Sequence, residues 1–321
     1  MALLAGALAL GTSASAADDS EEQALARCAA LVEAAERLAC YDELGAAQPA
    51  PPPRSFIERS WDLYDEVKPF RPWPHRPVYV LPARWSNDPN EEPFRELANG
   101  DPSTSLDVQS VEVKFQVSFK TKLLDDLFGG PGDLWFGYTQ QSHFQFYNAD
   151  ASRPFRETNY EPELALAFPL RRRWGGWTWR MLGAGVVHQS NGRSEPLSRS
   201  WNRLYGLAAI ERGPVSIVLR PWVRVDSTDP DDDDNPEITD FVGRFEASLL
   251  WQVERQVLTL HGRSNLDLDG HHGSLEVGWF FPLGSSVRGQ LQLFHGYGES
   301  LIDYNHSQTT LGVGLVLFDP F

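Results

Sequence analysis

The chain is poor in cysteine, in positive charge and in long apolar runs. It has two cysteines among 321 residues, and 44 acidic residues against 28 Lys and Arg give a formal net charge of −16. This negative balance argues against nucleic acid as a partner. Beyond the start of the chain no run reaches about 18 apolar residues, so we expect no membrane-spanning helix. Acidity alone does not separate a soluble protein from a surface-exposed one.

Three common catalytic signatures are also missing. The sequence contains no G-x-S-x-G, no H-E-x-x-H and no P-loop, so the usual soluble hydrolases, zinc proteases and nucleotide-binding proteins lack support. Most of the histidines match no metal-ligand spacing, namely His143, His261, His271, His272, His295 and His306.

The start of the chain has the pattern of a secretory signal. An apolar stretch over residues 2–10 precedes the small residues 14–16, Ala-Ser-Ala, which form a cleavage pattern. The usual basic start is missing. We predict a signal peptide over residues 1–16, and therefore export of the chain.

Residues 17–45 form a predicted helical segment that holds both cysteines. Export permits a disulfide, but one straight helix would hold Cys28 and Cys40 about 18 Å apart. A disulfide would therefore require a bend and predicts a helical hairpin, whereas unpaired, partly buried thiols are the alternative. The proline-rich residues 46–53 begin a linker and lead-in that we place at residues 46–76.

From about residue 78 onward, apolar and polar residues alternate in segments of roughly ten residues, the spacing of transmembrane barrel strands. Long and short connections mostly alternate between these segments, and the chain ends with an alternating segment and Phe321. We predict an all-β fold: a twelve-stranded antiparallel transmembrane β-barrel over residues 77–321, with a short helical N-terminal extension. The segments are 78–86, 111–121, 133–147, 158–170, 177–190, 201–211, 215–225, 241–253, 257–267, 273–282, 286–297 and 309–319.

One predicted hairpin carries a candidate catalytic set. His188 and Ser190 are two residues apart, so they project from one face of a strand. A hairpin centred near Glu195 places Asn202 directly opposite His188, with Cβ atoms about 5 Å apart. Because apolar residues share this face, the three side chains should lie on the outside wall of the barrel. A nucleophile, a base and an orienter would be aligned as in serine hydrolases, with a neutral amide as the orienter.

The ordinary interpretation of this pattern is a polar pair without catalytic function. A histidine beside a serine on a strand is more often such a pair, and the shared face with Asn202 is what favours catalysis. A second class of function therefore stays open, in which the chain is a catalytically silent structural or pore-forming barrel.

Five stretches resemble the outer-membrane phospholipase A family. They are GYTQQSHFQFYN (137–148), SRPFRETNYEPEL (152–164), HQSNGRSEPLSRSWNRLY (188–205), DDNPEIT (233–239) and GYGESLIDYN (296–305). The resemblance covers residues from about 111 to 321 and leaves residues 17–76 outside it. It implies a twelve-stranded barrel that hydrolyses sn-1 and sn-2 acyl esters of phospholipids and lysophospholipids, and that works as a calcium-dependent homodimer.

The resemblance also assigns roles to residues of the hairpin. It makes His188 the base, Ser190 the nucleophile and Asn202 the residue that orients His188. The backbone N–H of Gly192, assisted by a calcium-bound water, is expected to stabilise the oxyanion.

Calcium ligands follow from the same resemblance. They are the carbonyl of Arg193, the hydroxyl of Ser198, and the hydroxyl of Ser152 of the partner subunit. Asp234 matches a position that the family links to a second, weaker calcium site. Glu195 replaces an aspartate of the family pattern, and we expect this change to be tolerated.

The expected dimer contact lies along the first strands of the matching region. It suggests Val117 and Phe119 together with Gln140, a polar group facing lipid; the alternative is that Gln140 points into the barrel. The expected location is the lipopolysaccharide-rich bacterial outer membrane, with the active site toward the cell surface. The acidic residues 229–234 are interpreted as a solvated outer loop, and the arginines 171–173 as a solvated or lipid-contacting inner turn.

Overall fold

The computed structural model describes residues 23–47, 54–63, 68–98, 107–149, 155–225, 233–284, 287–318 and 320–321. The predicted signal peptide, residues 1–16, and most of the acidic stretch 229–234 lie outside these residues. The chain divides into two compact units, Met1–Pro53 and Arg54–Phe321. None of the described helices is long and apolar enough to cross a membrane.

The first unit contains two helices joined by a turn. Helix α1 covers residues 23–29 and helix α2 covers Ala34–Ala47. The turn brings Cys28 and Cys40 to a Cα–Cα distance of 5.5 Å, and a disulfide joins them. The helical hairpin is therefore confirmed, and the alternative of unpaired thiols is wrong.

Twelve antiparallel strands close into a barrel in the second unit, because each strand pairs with its neighbours in sequence and the last pairs with the first. The two-residue strand β1 (Trp73–Pro74) pairs with β3 next to the start of β2. The barrel strands are β2 Val78–Ser86, β3 Val111–Leu127, β4 Gly132–Phe144, β5 Phe155–Trp174, β6 Trp177–Ser190, β7 Ser200–Arg212, β8 Val215–Val225, β9 Phe245–Val253, β10 Gln256–Ser264, β11 Gly273–Pro282, β12 Arg288–Tyr297 and β13 Ser307–Phe318.

The predicted strands are all present, and several of them differ in extent. β3 runs to Leu127 instead of residue 121, β4 ends at Phe144 instead of residue 147, and β10 ends at Ser264 instead of residue 267. β5 is longer than the predicted 158–170 at both ends. The predicted strand 241–253 begins only at Phe245, because a one-turn helix precedes it. Ile238 and Val242 are both buried and lie four residues apart, the spacing of a helical turn. The short helices of this unit are α3 Phe56–Ser60, α4 Glu92–Ala98 and α5 Ile238–Phe241.

The barrel has an apolar outer wall and a polar interior. On β6, Leu182 and Val186 are 43% and 49% exposed, whereas Met181 and Val187 are buried. Large charged side chains are fully buried inside, among them Lys114. This arrangement inverts that of a soluble protein and is typical of a barrel whose outside meets lipid.

The end of the barrel that carries the short connections, here called the turn end, is occupied by residues 54–63. Ile57 and Trp61 of this segment are buried. The N–H of Ile57 donates to Glu211 (2.8 Å), and the Glu58 carboxylate pairs with Arg180 (2.7 Å). From Arg54 onward the lead-in therefore belongs to the same compact unit as the barrel, and its residues 54–63 lie at the turn end of the lumen.

The opposite end, here called the loop end, carries the long connections. Residues 298–306, which we call the β12–β13 loop, fold back into it. Within this loop Leu301 and Ile302 are buried, and Asp303 is fully buried beside Arg156 (2.9 Å). A cavity of about 350 Å³ remains in the lumen and is lined by residues from both ends of the barrel.

Candidate active site

The hairpin of β6 and β7 has the register that the sequence predicts. His188 lies opposite Asn202, and Ser190 lies opposite Ser200. His188 and Asn202 are exposed on the outer wall, on the same face as the exposed Val186. The strand period of two therefore places the three candidate side chains together at the loop end of the apolar wall.

His188 and Asn202 form a cross-strand hydrogen bond. Nδ1 of the imidazole lies 2.9 Å from Oδ1 of the amide, so the ring N–H donates and the amide oxygen accepts. In the neutral ring this bond selects the tautomer that carries its proton on Nδ1, so that Nε2 is the nitrogen with a lone pair.

Ser190 follows His188 on the same strand, and their side chains lie side by side at a spacing of about 6.6 Å along the strand. Within the described residues the Ser190 hydroxyl makes no hydrogen bond to His188. Such catalytic hydrogen bonds often tighten only when substrate is bound.

Gly192 turns the chain sharply after the serine. Its φ is +65°, and a Cβ at this position would meet the ring of Tyr160 at 3.3 Å, so glycine is needed here. Among the described residues no acceptor binds the Gly192 N–H, which is therefore free to donate to a ligand.

The loop after Ser190 is built around Asn191. Its side-chain oxygen accepts from the N–H groups of Arg193 (3.2 Å) and Arg199 (3.0 Å), and its amide donates to the carbonyl of Leu197 (2.8 Å). Asn191 is buried, and its backbone N–H closes the loop on the Arg199 carbonyl (3.0 Å). The conformation of the loop is thus determined by one side chain that the sequence analysis did not single out.

Oxygen atoms gather beside this loop. The Ser198 hydroxyl donates to Oδ2 of Asp234 (2.6 Å), and the Ser200 hydroxyl lies 3.5 Å from the same oxygen. Glu195 shares a hydrogen bond with Asp234, which together with slight burial and the Asp234 charge raises the pKa of Glu195. Two neighbouring carboxylates and two hydroxyls are the hard donors that calcium prefers.

The remaining expected calcium ligands are only partly described. The guanidinium of Arg193 donates to the carbonyls of Phe155 (2.8 Å) and Arg156 (2.6 Å), which ties the loop to the beginning of β5. Ser152 lies outside the described residues. No cluster of three or more His, Cys, Asp or Glu suited to a metal occurs in the part of the chain that the structure describes.

The expected dimer residues share one patch of the outer wall. Val117 lies opposite Gln140 and is 45% exposed, and Phe119 is also exposed. The amide of Gln140 contacts Tyr138 (3.1 Å) and Ser142 (3.4 Å) on this face. The alternative that Gln140 points into the barrel is therefore wrong.

A closed barrel of twelve strands with an apolar outside and a polar inside defines a bacterial outer-membrane protein. Solved structures agree with this class. The chain matches outer membrane phospholipase A from Escherichia coli with a TM-score of 0.72 and 39% identity, covering 81% of this chain and 96% of that one. It matches a Salmonella typhi outer membrane phospholipase dimer with bound calcium with a TM-score of 0.73 and 37% identity, covering 84% and 100% of the two chains.

The sequence comparisons identify the family. The phospholipase A1 model matches residues 57–317. A relative from Neisseria meningitidis serogroup B is 43% identical over 256 residues, covering 76% of this chain and 65% of the relative. Phospholipase A1 from Klebsiella pneumoniae is 40% identical over 259 residues, covering 81% and 86%. The chain belongs to the phospholipase A1 family of enzymes, and its location is the bacterial outer membrane.

The family match also corrects the extent of the resemblance. It begins at residue 57, so residues 57–76, which we expected to lie outside, are part of it. A sequence signal for a packed segment was present here, because the apolar Ile57 and Trp61 are four residues apart and so lie on one face of a helical turn. Both are buried in the structure.

Proposed function

We propose that the chain is a calcium-dependent phospholipase that hydrolyses sn-1 and sn-2 acyl esters of phospholipids and lysophospholipids. The observation that carries this proposal is the His188–Asn202 hydrogen bond beside Ser190, on a wall that faces lipid. A soluble substrate would not reach this wall, whereas the ester groups of a phospholipid lie at the border between the apolar chains and the headgroups.

The residues of the hairpin supply the two halves of the reaction. Ser190 Oγ attacks the ester carbonyl while His188 Nε2 takes the hydroxyl proton. His188 then gives this proton to the oxygen of the leaving alcohol, which leaves an acyl group on Ser190. Water then attacks the acyl carbonyl while His188 takes one of its protons. The bond between the acyl carbon and Ser190 Oγ breaks, His188 returns the proton to Oγ, and a fatty acid is released. Asn202 keeps the imidazole in the required tautomer throughout.

The oxyanion formed at each attack needs a donor. The Gly192 N–H has no acceptor among the described residues and lies two residues after Ser190, so we assign it this role. Calcium, when bound, supplies positive charge near the developing oxyanion.

Four residues would hold calcium at two sites. We infer that the carbonyl of Arg193, the hydroxyl of Ser198 and the hydroxyl of Ser152 of the partner subunit form the first site, and that Asp234 serves a second, weaker site. The hydroxyl of Ser198 and the carboxylate of Asp234 lie together and fit oxygen coordination. The calcium in the Salmonella typhi dimer supports this inference.

We infer that the active form is a homodimer joined along Val117, Phe119 and Gln140. In a monomer the amide of Gln140 faces lipid with hydrogen bonds to its neighbours Tyr138 and Ser142, and a second copy would supply polar partners for its remaining N–H and lone pair. We place the loop end, and with it the active site, at the cell surface. There the leaflet is mostly lipopolysaccharide, and we expect the enzyme to be idle as a monomer until phospholipid reaches this leaflet.

A pore is a poor alternative for this barrel. The lumen is occupied by residues 54–63 at the turn end and by the β12–β13 loop at the loop end. The space between them is a cavity of about 350 Å³. A catalytically silent barrel is the remaining alternative, and it is separated from the proposal by an activity measurement.

The test is release of fatty acid from mixed micelles of phospholipid and detergent, with calcium and with chelator. We expect calcium-dependent release by the natural chain and its loss in Ser190→Ala. The matched control is Ser248→Ala, since Ser248 also contacts a histidine, His261 (2.8 Å), but lines the lumen. Release that persists in Ser190→Ala, or that is absent from the natural chain, would contradict the proposal.

A further inference from the structure

Glu157 is a fully buried carboxylate directly behind the catalytic loop. It lies on β5 and is 0% exposed. Its Oε1 accepts from the amide of Asn159 (2.7 Å) and from the backbone N–H of Ile302 (3.3 Å). Its Oε2 accepts from the amide of Asn191 (3.4 Å) and lies 3.5 Å from Nε of Arg193. Both carboxylate oxygens are therefore used, and each serves two donors.

These donors come from three separate parts of the chain. Asn159 belongs to the same strand, Asn191 and Arg193 to the loop that follows Ser190, and Ile302 to the β12–β13 loop. The contact between the two loops is reinforced by Leu197 and Ile302, which are buried in one apolar cluster. A single carboxylate thus joins the catalytic loop to the loop that fills the barrel beneath it.

The connection to the reacting atoms is short. Glu157 holds the amide of Asn191, and Asn191 determines the backbone of the residues around Gly192. Ser190 and Gly192 flank Asn191 in sequence. A displacement of Asn191 therefore moves both the nucleophile and the proposed oxyanion donor.

We propose that Glu157 is a positioning residue, which holds Ser190 and the Gly192 N–H in the geometry of the reaction. This inference rests on the proposed function of the site. The carboxyl group holds these donors through both of its oxygens, whereas a glutamine would place an NH2 group against two of them. Arg193, whose Nε lies 3.5 Å from Oε2, also ties the loop to the start of β5 through its side chain.

The experiment compares Glu157→Gln and Glu157→Asp with the natural chain in the micelle assay. Activity is expressed per folded barrel, measured from the fraction that resists unfolding by detergent on a gel. We expect kcat of Glu157→Gln to fall about tenfold to a hundredfold, because small misplacements of reacting groups are costly. KM should stay within about twofold, since no group that binds lipid is removed. Glu157→Asp keeps both oxygens and should recover part of kcat.

Glu163→Gln is the matched control. Glu163 points into the lumen from the same strand and is also buried, and it binds Arg220 (2.8 Å) and Tyr205 (2.9 Å) away from the catalytic loop. Its replacement should lower the thermal unfolding temperature and leave kcat per folded barrel unchanged.

The outcomes are distinct. A lowered kcat in Glu157→Gln, with partial rescue by aspartate and no loss in Glu163→Gln, supports the positioning role. An unchanged kcat, an effect on KM alone, or equal losses in the two glutamine variants overturns it. If Glu157→Gln does not fold, Glu157→Asp decides, and a natural kcat in that variant overturns the proposal. If the natural chain has no esterase activity, the proposed function itself is refuted. The outcomes for the Glu157 variants test the positioning role only when the natural chain is active.

Discussion

In the proposed triad the partner of the His188 imidazole is neutral, and its position explains why. Asn202 lies on the outer wall near the lipid, with its side chain exposed. A carboxylate in this place would carry a charge into an apolar surrounding, which is costly without a partner. An amide provides the acceptor for the imidazole N–H without that charge, at the expense of weaker stabilisation of the imidazolium.

Asn202→Ala should lower kcat without abolishing it. The variant loses one neutral hydrogen bond, which contributes about 0.5–1.5 kcal/mol, so kcat should fall roughly twofold to twelvefold. Steady-state hydrolysis in mixed micelles measures this. Thr309→Ala is the control, because Thr309 holds the exposed His295 across another hairpin at the same 2.9 Å. A natural kcat in Asn202→Ala would exclude the orienting role.

Among the elements, the β12–β13 loop is held by buried charges. Asp303 binds Arg156 through both oxygens (3.1 and 2.9 Å) and accepts hydrogen bonds from Ser300 (2.6 Å) and Asn90 (3.2 Å). Burial alone would raise the pKa of Asp303, but the charge of Arg156 and the hydrogen bond from Ser300, with a further effect of His143, lower it below the usual value.

The lowered pKa of Asp303 predicts a stability that depends on pH. A carboxyl group whose pKa is lower in the folded state stabilises the fold above its unfolded pKa of about 3.9, and this contribution is lost as the pH falls further. Asp303→Asn leaves Arg156 with one charged partner fewer, and near neutral pH it should be less stable by about 3–5 kcal/mol. The difference in unfolding free energy between the variant and the natural chain should become smaller in acid, because Asp303 of the natural chain is itself protonated there.

Urea unfolding in detergent micelles, between about pH 7 and about pH 2.5, measures this difference. Asp269→Asn, in the exposed loop after β10, is the control and should behave as the natural chain does. The difference in unfolding free energy between Asp303→Asn and the natural chain should change over this range. A constant difference would show that the ionised carboxylate is not what stabilises the loop.

Residues 54–63 close the opposite end in a similar way. Lys122 lies 3.1 Å from Asp62 and 3.0 Å from Asp133 of β4, and the ammonium of Lys120 lies 3.6 Å from the ring centre of Trp61. Ile57 and Glu58 bind the turn ends of β6 and β7, the two strands that carry the proposed catalytic side chains. Both ends of the lumen are thus filled by segments that contact the β6–β7 hairpin or the strand beside it.

Across the whole molecule, most large side chains of the outer wall are apolar. Gln140 and Thr158 both form hydrogen bonds with the fully buried Ser142, beside the exposed Val117. Polar groups that face lipid are unfavourable unless a partner meets them. The partly exposed Gln140 therefore supports the proposed dimer contact on this side of the barrel.

Gln140→Leu should weaken the dimer. We expect a several-fold lower fraction of crosslinked dimer in the presence of calcium, and activity that recovers at higher protein density in the membrane. Gln256→Leu is the control, since Gln256 is a polar residue of the outer wall bound to Trp279 (2.8 Å) on another part of the barrel. Crosslinking that shows the same dimer in both variants and in undisturbed membranes would contradict the proposed contact and the idle monomer.

The features that the sequence by itself determined are those with a local period. Alternation of side chains along a strand predicted the twelve strands, their two faces and the outward position of His188 and Ser190, because this period depends only on the backbone. The opposition of His188 and Asn202 followed from the symmetry of one hairpin. The spacing of Cys28 and Cys40 predicted a helical hairpin for a bonded pair.

The tertiary structure decided what meets across the closed barrel. Ile57 binds Glu211, 154 residues away, and Glu157 binds the N–H of Ile302, 145 residues away. No local pattern marks such partners, since they depend on which strands become neighbours and on which loops fold inward. Closure of the barrel turns a set of alternating polar residues into one buried network, and that network contacts the loop after Ser190 from inside.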